Sequence, residues 1–225
     1  LELACFPARF SQQHEEKAQG ALRTAAVLPW RIMKKSPASE FAFHPLTPSR
    51  WGDFEELFGE RGACGGCWCM AWRLERAAFE KGKGAGNRAA MKKLVAFGAR
   101  PGVLAYRGKR AVGWCAVAPR AEYSFLARSR VLAPLDDEPV WSVSCFFVRR
   151  DCRRRGLSVR LLEAAVEFAR KQGARVVEGY PVVAPQGQPA AFVWTGLEGT
   201  FLRAGFHEAA RRSKARPVMR RATGA

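Results

Sequence analysis

Apolar and polar residues fall into a regular order from Phe41 onward. The first element they predict is a strand, Phe41 to Leu46, closing at Pro45-Leu46. Thr47-Pro48-Ser49 then reads as a helix start, because Pro and Ser suit a first turn. Trp51, Phe54, Leu57 and Phe58 recur at helical spacing and give that helix one apolar face, and Gly62 ends it. Glu75 to Gly98 predicts a second helix, interrupted by Lys81 to Gly86, with Asn87 capping its second piece.

Pro101 to Val117 predicts a hairpin, with strands at Val103–Tyr106 and Ala111–Val117 about a turn at Arg107-Gly108-Lys109. Trp141 to Val148 is apolar on both faces, since Phe146 and Phe147 are adjacent. Such a strand belongs inside a sheet. The strongest helical stripe is Leu157, Leu161, Leu162, Ala165, Phe168 and Ala169, stopped by Gly173. Ala174 to Val183 predicts another strand, Leu197 to Ala204 a short helix, and Phe206–Ala210 with Pro217–Met219 a closing hairpin. This order implies a mixed α/β domain around a central sheet. Residues 1 to 40 show no sustained period and read as an extension, partly helical or disordered.

Composition adds three constraints. No apolar run approaches the ~20 residues of a membrane helix, and residues 1 to 10 lack the order of a secretory signal. We therefore expect a soluble, cytoplasmic protein with no membrane partner. Seven cysteines, an odd number, argue against a disulfide scaffold; Cys145, inside an apolar run, reads as a plain core residue. The net charge of +18 favours anionic partners without choosing among nucleic acid, lipid and phosphorylated cofactors.

The chemistry concentrates in Val148-Arg149-Arg150-Asp151-Cys152-Arg153-Arg154-Arg155-Gly156-Leu157-Ser158, between the buried strand and the best helix. A turn here exposes backbone N–H groups that have no helical partner, and the helix dipole adds partial positive charge. Together they form an anion cradle suited to phosphate. Gly156 lets a ligand approach the backbone, Ser158 is small and adds a hydroxyl, and Arg153, Arg154 and Arg155 add full charges. A basic loop with no ligand is the competing reading of the same residues.

The segment resembles the acetyl-CoA motif of the GNAT N-acetyltransferases: a strand ending in Val, then Arg/Gln-x-x-Gly-x-Gly/Ala, then a helix. Here Val148 is followed by Arg153-x-x-Gly156-x-Ser158, and Ala204-Gly205-Phe206 is similar to the Gly-Phe that closes the family's last helix. The resemblance implies a GNAT fold over residues 41–221, with a mixed, splayed sheet of six to seven strands and about four helices. It implies acetyl-CoA as co-substrate and a small amine-bearing acceptor attacking the thioester directly. It further implies that amides of Arg154, Arg155, Gly156, Leu157 and Ser158 hold the pyrophosphate. The main chain of Phe146, Phe147 and Val148 would pair with the pantetheine arm.

Three family features are missing. Phe201 stands where many relatives have a proton-donating Tyr, and Trp194 where they often have Asn. The strand Trp141–Val148 offers only Ser142 and Ser144 where some relatives have a Glu base. Glu178, in an otherwise apolar strand, and Tyr180, two residues on, are the remaining candidates for acid and base, against surface and packing roles.

Ala63-Cys64-Gly65-Gly66-Cys67-Trp68-Cys69-Met70 is unusual text. The Cys64-x-x-Cys67 spacing suits zinc or a redox pair, but a closed zinc site lacks its further ligands, and no metal is expected. Three readings stand: buried packing thiols, an acceptor wall in which Trp68, Met70 and Trp72 line a pocket, and metal or redox chemistry, for which partner ligands are missing. Two rival functions are a basic nucleic-acid-binding protein and a CoA-binding GNAT protein without catalysis. The basic runs are scattered and the aromatics periodic, so nucleic acid is not the expected partner; a homodimer is left open.

Overall fold

The structure is a computed structural model that describes residues 40–183 and 192–224. All of them lie in one compact unit. The extension expected over residues 1–40 falls, apart from Glu40, outside the described residues.

Seven strands form one sheet in the order β1-β2-β3-β4-β5-β7-β6. They are β1 (Ala42–Pro45), β2 (Gly102–Arg107), β3 (Arg110–Pro119), β4 (Val140–Val148), β5 (Val176–Gly179), β6 (His207–Ala210) and β7 (Val218–Ala222). Every neighbouring pair is antiparallel except β4 and β5, which are parallel. Six α-helices are described: α1 (Trp51–Phe58), α2 (Arg76–Lys81), α3 (Ala85–Ala96), α4 (Ser124–Arg128), α5 (Leu157–Lys171) and α6 (Glu198–Arg203). The expected helix over 75–98 is split into α2 and α3 where the glycine-rich stretch breaks its period. Helix α4 lies in a stretch for which the sequence pattern predicted no element.

The core divides by sheet face. On one face the predicted stripe of α5 is buried and packs against Val103, Cys115 and Val143. On the other, α1 brings Trp51, Phe54, Leu57 and Phe58 against Trp68, Leu104 and Trp114. The sheet is thus covered on both sides, and its central strands are mostly apolar, with Ser142 and Ser144 as the polar positions of β4. Burial of this kind contributes about 1.5–3 kcal/mol for each large apolar side chain.

Two irregularities in β4 create the site. Ala116 faces Cys145 and Val117 faces Val143, so Ser144 is an extra residue, a bulge that bends the strand. Strand β5 pairs with β4 only over Val140–Val143 and ends at Gly179. Beyond Val143 the two strands part, and the edge of β4 from Ser144 to Val148 is left without a strand neighbour on that side.

Candidate active site

The turn between β4 and α5 has the geometry an anion requires. Arg154 and Gly156 both take positive φ, 60° and 73°, and the helix begins at Leu157. Among the described residues, none of the N–H groups of Arg154, Arg155, Gly156, Leu157 and Ser158 has a hydrogen-bond partner. A β-carbon built on Gly156 meets nothing within 4 Å, so the concave side of the turn is open. Five donors at the positive end of a 15-residue helix fit a diphosphate.

The arginines of the turn behave differently from one another. Arg153 folds back and donates through Nε to the Val148 carbonyl at 3.0 Å, and it also lines the adjoining cavity. Arg155 makes an exposed ion pair with Glu40 at 3.3 Å. Among the three, only Arg153 is tied to the strand edge.

A cavity of about 490 Å³ runs from Arg153 and Ser158 along the free edge of β4. Phe146, Phe147 and Val148 line it. One detail differs from the pairing expected of this edge. The Phe146 N–H, which faces the splay, already donates to the Trp194 carbonyl at 2.6 Å. Pairing with a pantetheine arm at this position therefore requires exchange of that bond.

The cysteine-rich loop forms the opposite wall. Cys64, Cys67, Cys69, Ala71 and Trp72 all face the cavity. Trp72 sits where an acceptor wall was expected; Trp68 and Met70 do not line the cavity, being buried in the core behind it. The loop is held in a strained form, with positive φ at three non-glycine residues: Ala63 (67°), Trp68 (43°) and Cys69 (54°). Trp114 Nε1 donates to Cys69 Sγ at 3.0 Å and fixes the loop to β3. Burial pushes the Cys67 thiol up to about 11, and contact with Cys69 together with burial holds Cys145 well above the usual thiol range. These thiols are therefore neutral near pH 7. Cys145, expected to be plain core, lines the cavity together with the rest of the unpaired β4 edge from Ser144 to Val148.

Glu178 and Tyr180 are placed differently from the expectation. Neither lines the cavity. Glu178 is 1% exposed and held by two arginines, Arg220 Nε at 2.8 Å and Arg120 Nη1 at 3.4 Å. Tyr180 donates its hydroxyl to Glu178 at 2.7 Å, accepts from Arg120 at 2.7 Å, and touches Ser142 Oγ at 2.8 Å. Burial, then the Glu178 charge, raises the Tyr180 phenol far above its ordinary range. The carboxylate is thus committed to a closed ionic network and does not reach the reacting space. Arg120 and Arg220 had no mark in the sequence beyond being two among many arginines.

Phe201 is fully buried, and its ring lies against Gly179 so closely that a β-carbon there would sit 1.9 Å from Cε1. Trp194 lines the cavity and meets the Trp72 ring edge-on at 5.5 Å. Phe58, Phe79 and Val193 complete the apolar lining. Phe58 had been read only as part of a helix face.

A strand that parts from its parallel neighbour beside a bare-amide helix start gives a mixed α/β protein with a cleft suited to an extended anionic ligand. The comparisons with known proteins narrow this to one family. The model of the acetyltransferase (GNAT) family matches residues 68–194, more than half of the chain, and the chain belongs to that family and is an acetyltransferase. One solved structure shows the same fold at a TM-score above 0.5, and two more are similar to the chain. The apo form of an agmatine N-acetyltransferase variant has 11% identity over 82% of this chain and 100% of its own, with a TM-score of 0.51. A putative GNAT acetyltransferase from Desulfovibrio desulfuricans has 15% identity over 82% and 99%, with a TM-score of 0.48. The putative acetyltransferase yncA of Salmonella typhimurium, solved with acetyl-CoA, has 13% identity over 83% and 95%, with a TM-score of 0.46. No curated protein sequence matches the chain. Among the described residues, no helix is long and apolar enough to cross a membrane.

Proposed function

We propose that the protein moves an acetyl group from acetyl-CoA to the primary amine of a small molecule by direct attack. The observation that carries this reading is the row of unpartnered amides from Arg154 to Ser158, opening into a cavity along the free edge of β4. Acetyl-CoA supplies the activated acetyl group. The amides hold its diphosphate, with the helix dipole adding to each bond. Phe146, Phe147 and Val148 orient the thioester end along the strand. The Phe146 N–H is the donor nearest the splay, and it serves a developing oxyanion once it leaves the Trp194 carbonyl. The aromatic wall excludes water from the reacting atoms.

The test is a thermal-shift and calorimetric titration with acetyl-CoA. At a hundredfold excess over Kd, binding stabilises the fold by about 2.7 kcal/mol. Gly156→Trp fills the open side of the turn, and we expect the shift to vanish there. A wild-type protein that shows no shift at millimolar acetyl-CoA would overturn the proposal. Phe201, which offers no proton to a departing thiolate, favours a second reading in which CoA is bound without turnover. Thiol release with any amine counts against that reading.

A further inference from the structure

The acceptor half of the cavity has a chemistry of its own. Its walls are the rings of Phe58, Trp72, Phe79 and Trp194, and its polar groups are the Ser144 hydroxyl and four thiols, Cys64, Cys67, Cys69 and Cys145. The one charged side chain among the described lining residues is Arg153, a cation, at the cofactor end. No Asp, Glu or His is among the described lining residues. Glu178, the carboxylate on the neighbouring strand, is saturated by Arg120, Arg220 and Tyr180.

An alkylammonium entering such a space loses water and gains no counter-charge. Its neutral form is scarce: with a pKa of about 10.4, about one molecule in 2,500 is uncharged at pH 7. Cys67, pushed up to about 11, and Cys145, held well above the usual thiol range, are protonated at pH 7 and do not take its proton. An amine bonded to an aromatic ring avoids both costs. It is uncharged at neutral pH, and its ring meets Trp72 and Trp194, already set edge to face at 5.5 Å. A dry cavity of about 150 Å³ takes one benzene ring, so 490 Å³ leaves room for a ring beside the thioester.

We infer that the acceptor is a weakly basic aromatic amine, recognised by the Trp72–Trp194 wall and acetylated without a carboxylate or imidazole base among the described lining residues. The inference rests on the acetyl-transfer reading above. The nitrogen lone pair forms the C–N bond, the thioester C–S bond breaks with its electron pair on sulfur, and the proton lost by nitrogen ends on that thiolate. The products are an aryl acetamide and free CoA.

The test compares two isomers, 4-ethylaniline and 2-phenylethylamine, at saturating acetyl-CoA. Thiol release should favour the aniline at least tenfold in kcat/KM at pH 7. Its profile should stay flat from pH 6 to 9, while the phenylethylamine rises tenfold for each pH unit. In the CoA-bound protein the aniline should quench Trp72 and Trp194 fluorescence at lower concentration than its isomer, and Trp72→Ala should weaken that binding. Cys64→Asp places a carboxylate on the exposed rim of the wall and should narrow the ratio. Equal or reversed preference at pH 7, or a flat profile for the phenylethylamine, would overturn the inference. Binding of acetyl-CoA with turnover of neither isomer would also overturn it while leaving cofactor binding intact. Absence of acetyl-CoA binding would bring down both readings.

Discussion

Two polar regions flank the splay of β4, and they are built on opposite terms. On the β5 side, Glu178, Tyr180, Ser142, Arg120 and Arg220 satisfy one another inside the fold. On the α5 side, the amides of Arg154 to Ser158 satisfy nothing among the described residues. Both concentrate charge and donors, and either would attract attention as a site. What separates them is saturation. A buried polar group with every partner supplied by the protein holds the fold, whereas open donors at a helix start await a ligand.

The largest effect should come from breaking the saturated side. Glu178→Gln leaves the largely buried Arg120 guanidinium without its carboxylate, while Arg220 keeps Asp136, and we expect a loss of about 3 kcal/mol in urea denaturation. Acetyl-CoA affinity and the pH profile of turnover should not change. A loss under about 1 kcal/mol would show that the network is not integral to the fold. Next in size is Gly156→Trp, which should remove the whole acetyl-CoA stabilisation of about 2.7 kcal/mol at a hundredfold ligand excess.

Phe201→Tyr should cost about 1–3 kcal/mol through overpacking and should not restore a proton donor, because Cζ already abuts Gly179. A rise in turnover would contradict that placement. A smaller effect comes from the Cys67 thiol, whose pKa is raised from 9.0 to about 11. The folded state holds this proton more tightly than the unfolded chain. Its contribution is therefore complete below pH 9 and is lost as the pH climbs through 11. Cys67→Ala should flatten that part of an alkaline unfolding curve. Smallest is Arg155→Ala, which removes an exposed pair with Glu40 and should leave Tm unchanged within error.

The contrast between the two regions also marks what could be read before folding. The turn from Val148 to Ser158 was legible because its function lies in contiguous backbone: a strand end, a glycine and a helix start fix where the bare amides fall. The partners of Glu178 are not legible in the sequence, because its arginines lie 58 and 42 residues away in the chain. An isolated carboxylate in an apolar strand looks like a perturbed base until those partners are placed. Cys145 was read as core because the parting of β4 from β5, which leaves the β4 edge unpaired from Ser144 onward, is not encoded in the apolar run. Trp68 and Trp72 lie four residues apart in one loop. The left-handed turns at Trp68 and Cys69 send one into the core and leave the other on the cavity wall.

Taken alone, the sequence determined most of the elements, their order and the turn between β4 and α5, since periodicity and short-range backbone geometry are local properties. Only the tertiary structure decided which polar groups are saturated, which thiols and rings meet around one cavity, and that no carboxylate among the described residues faces it. Those outcomes depend on contacts between residues far apart in the chain, where spacing carries no information.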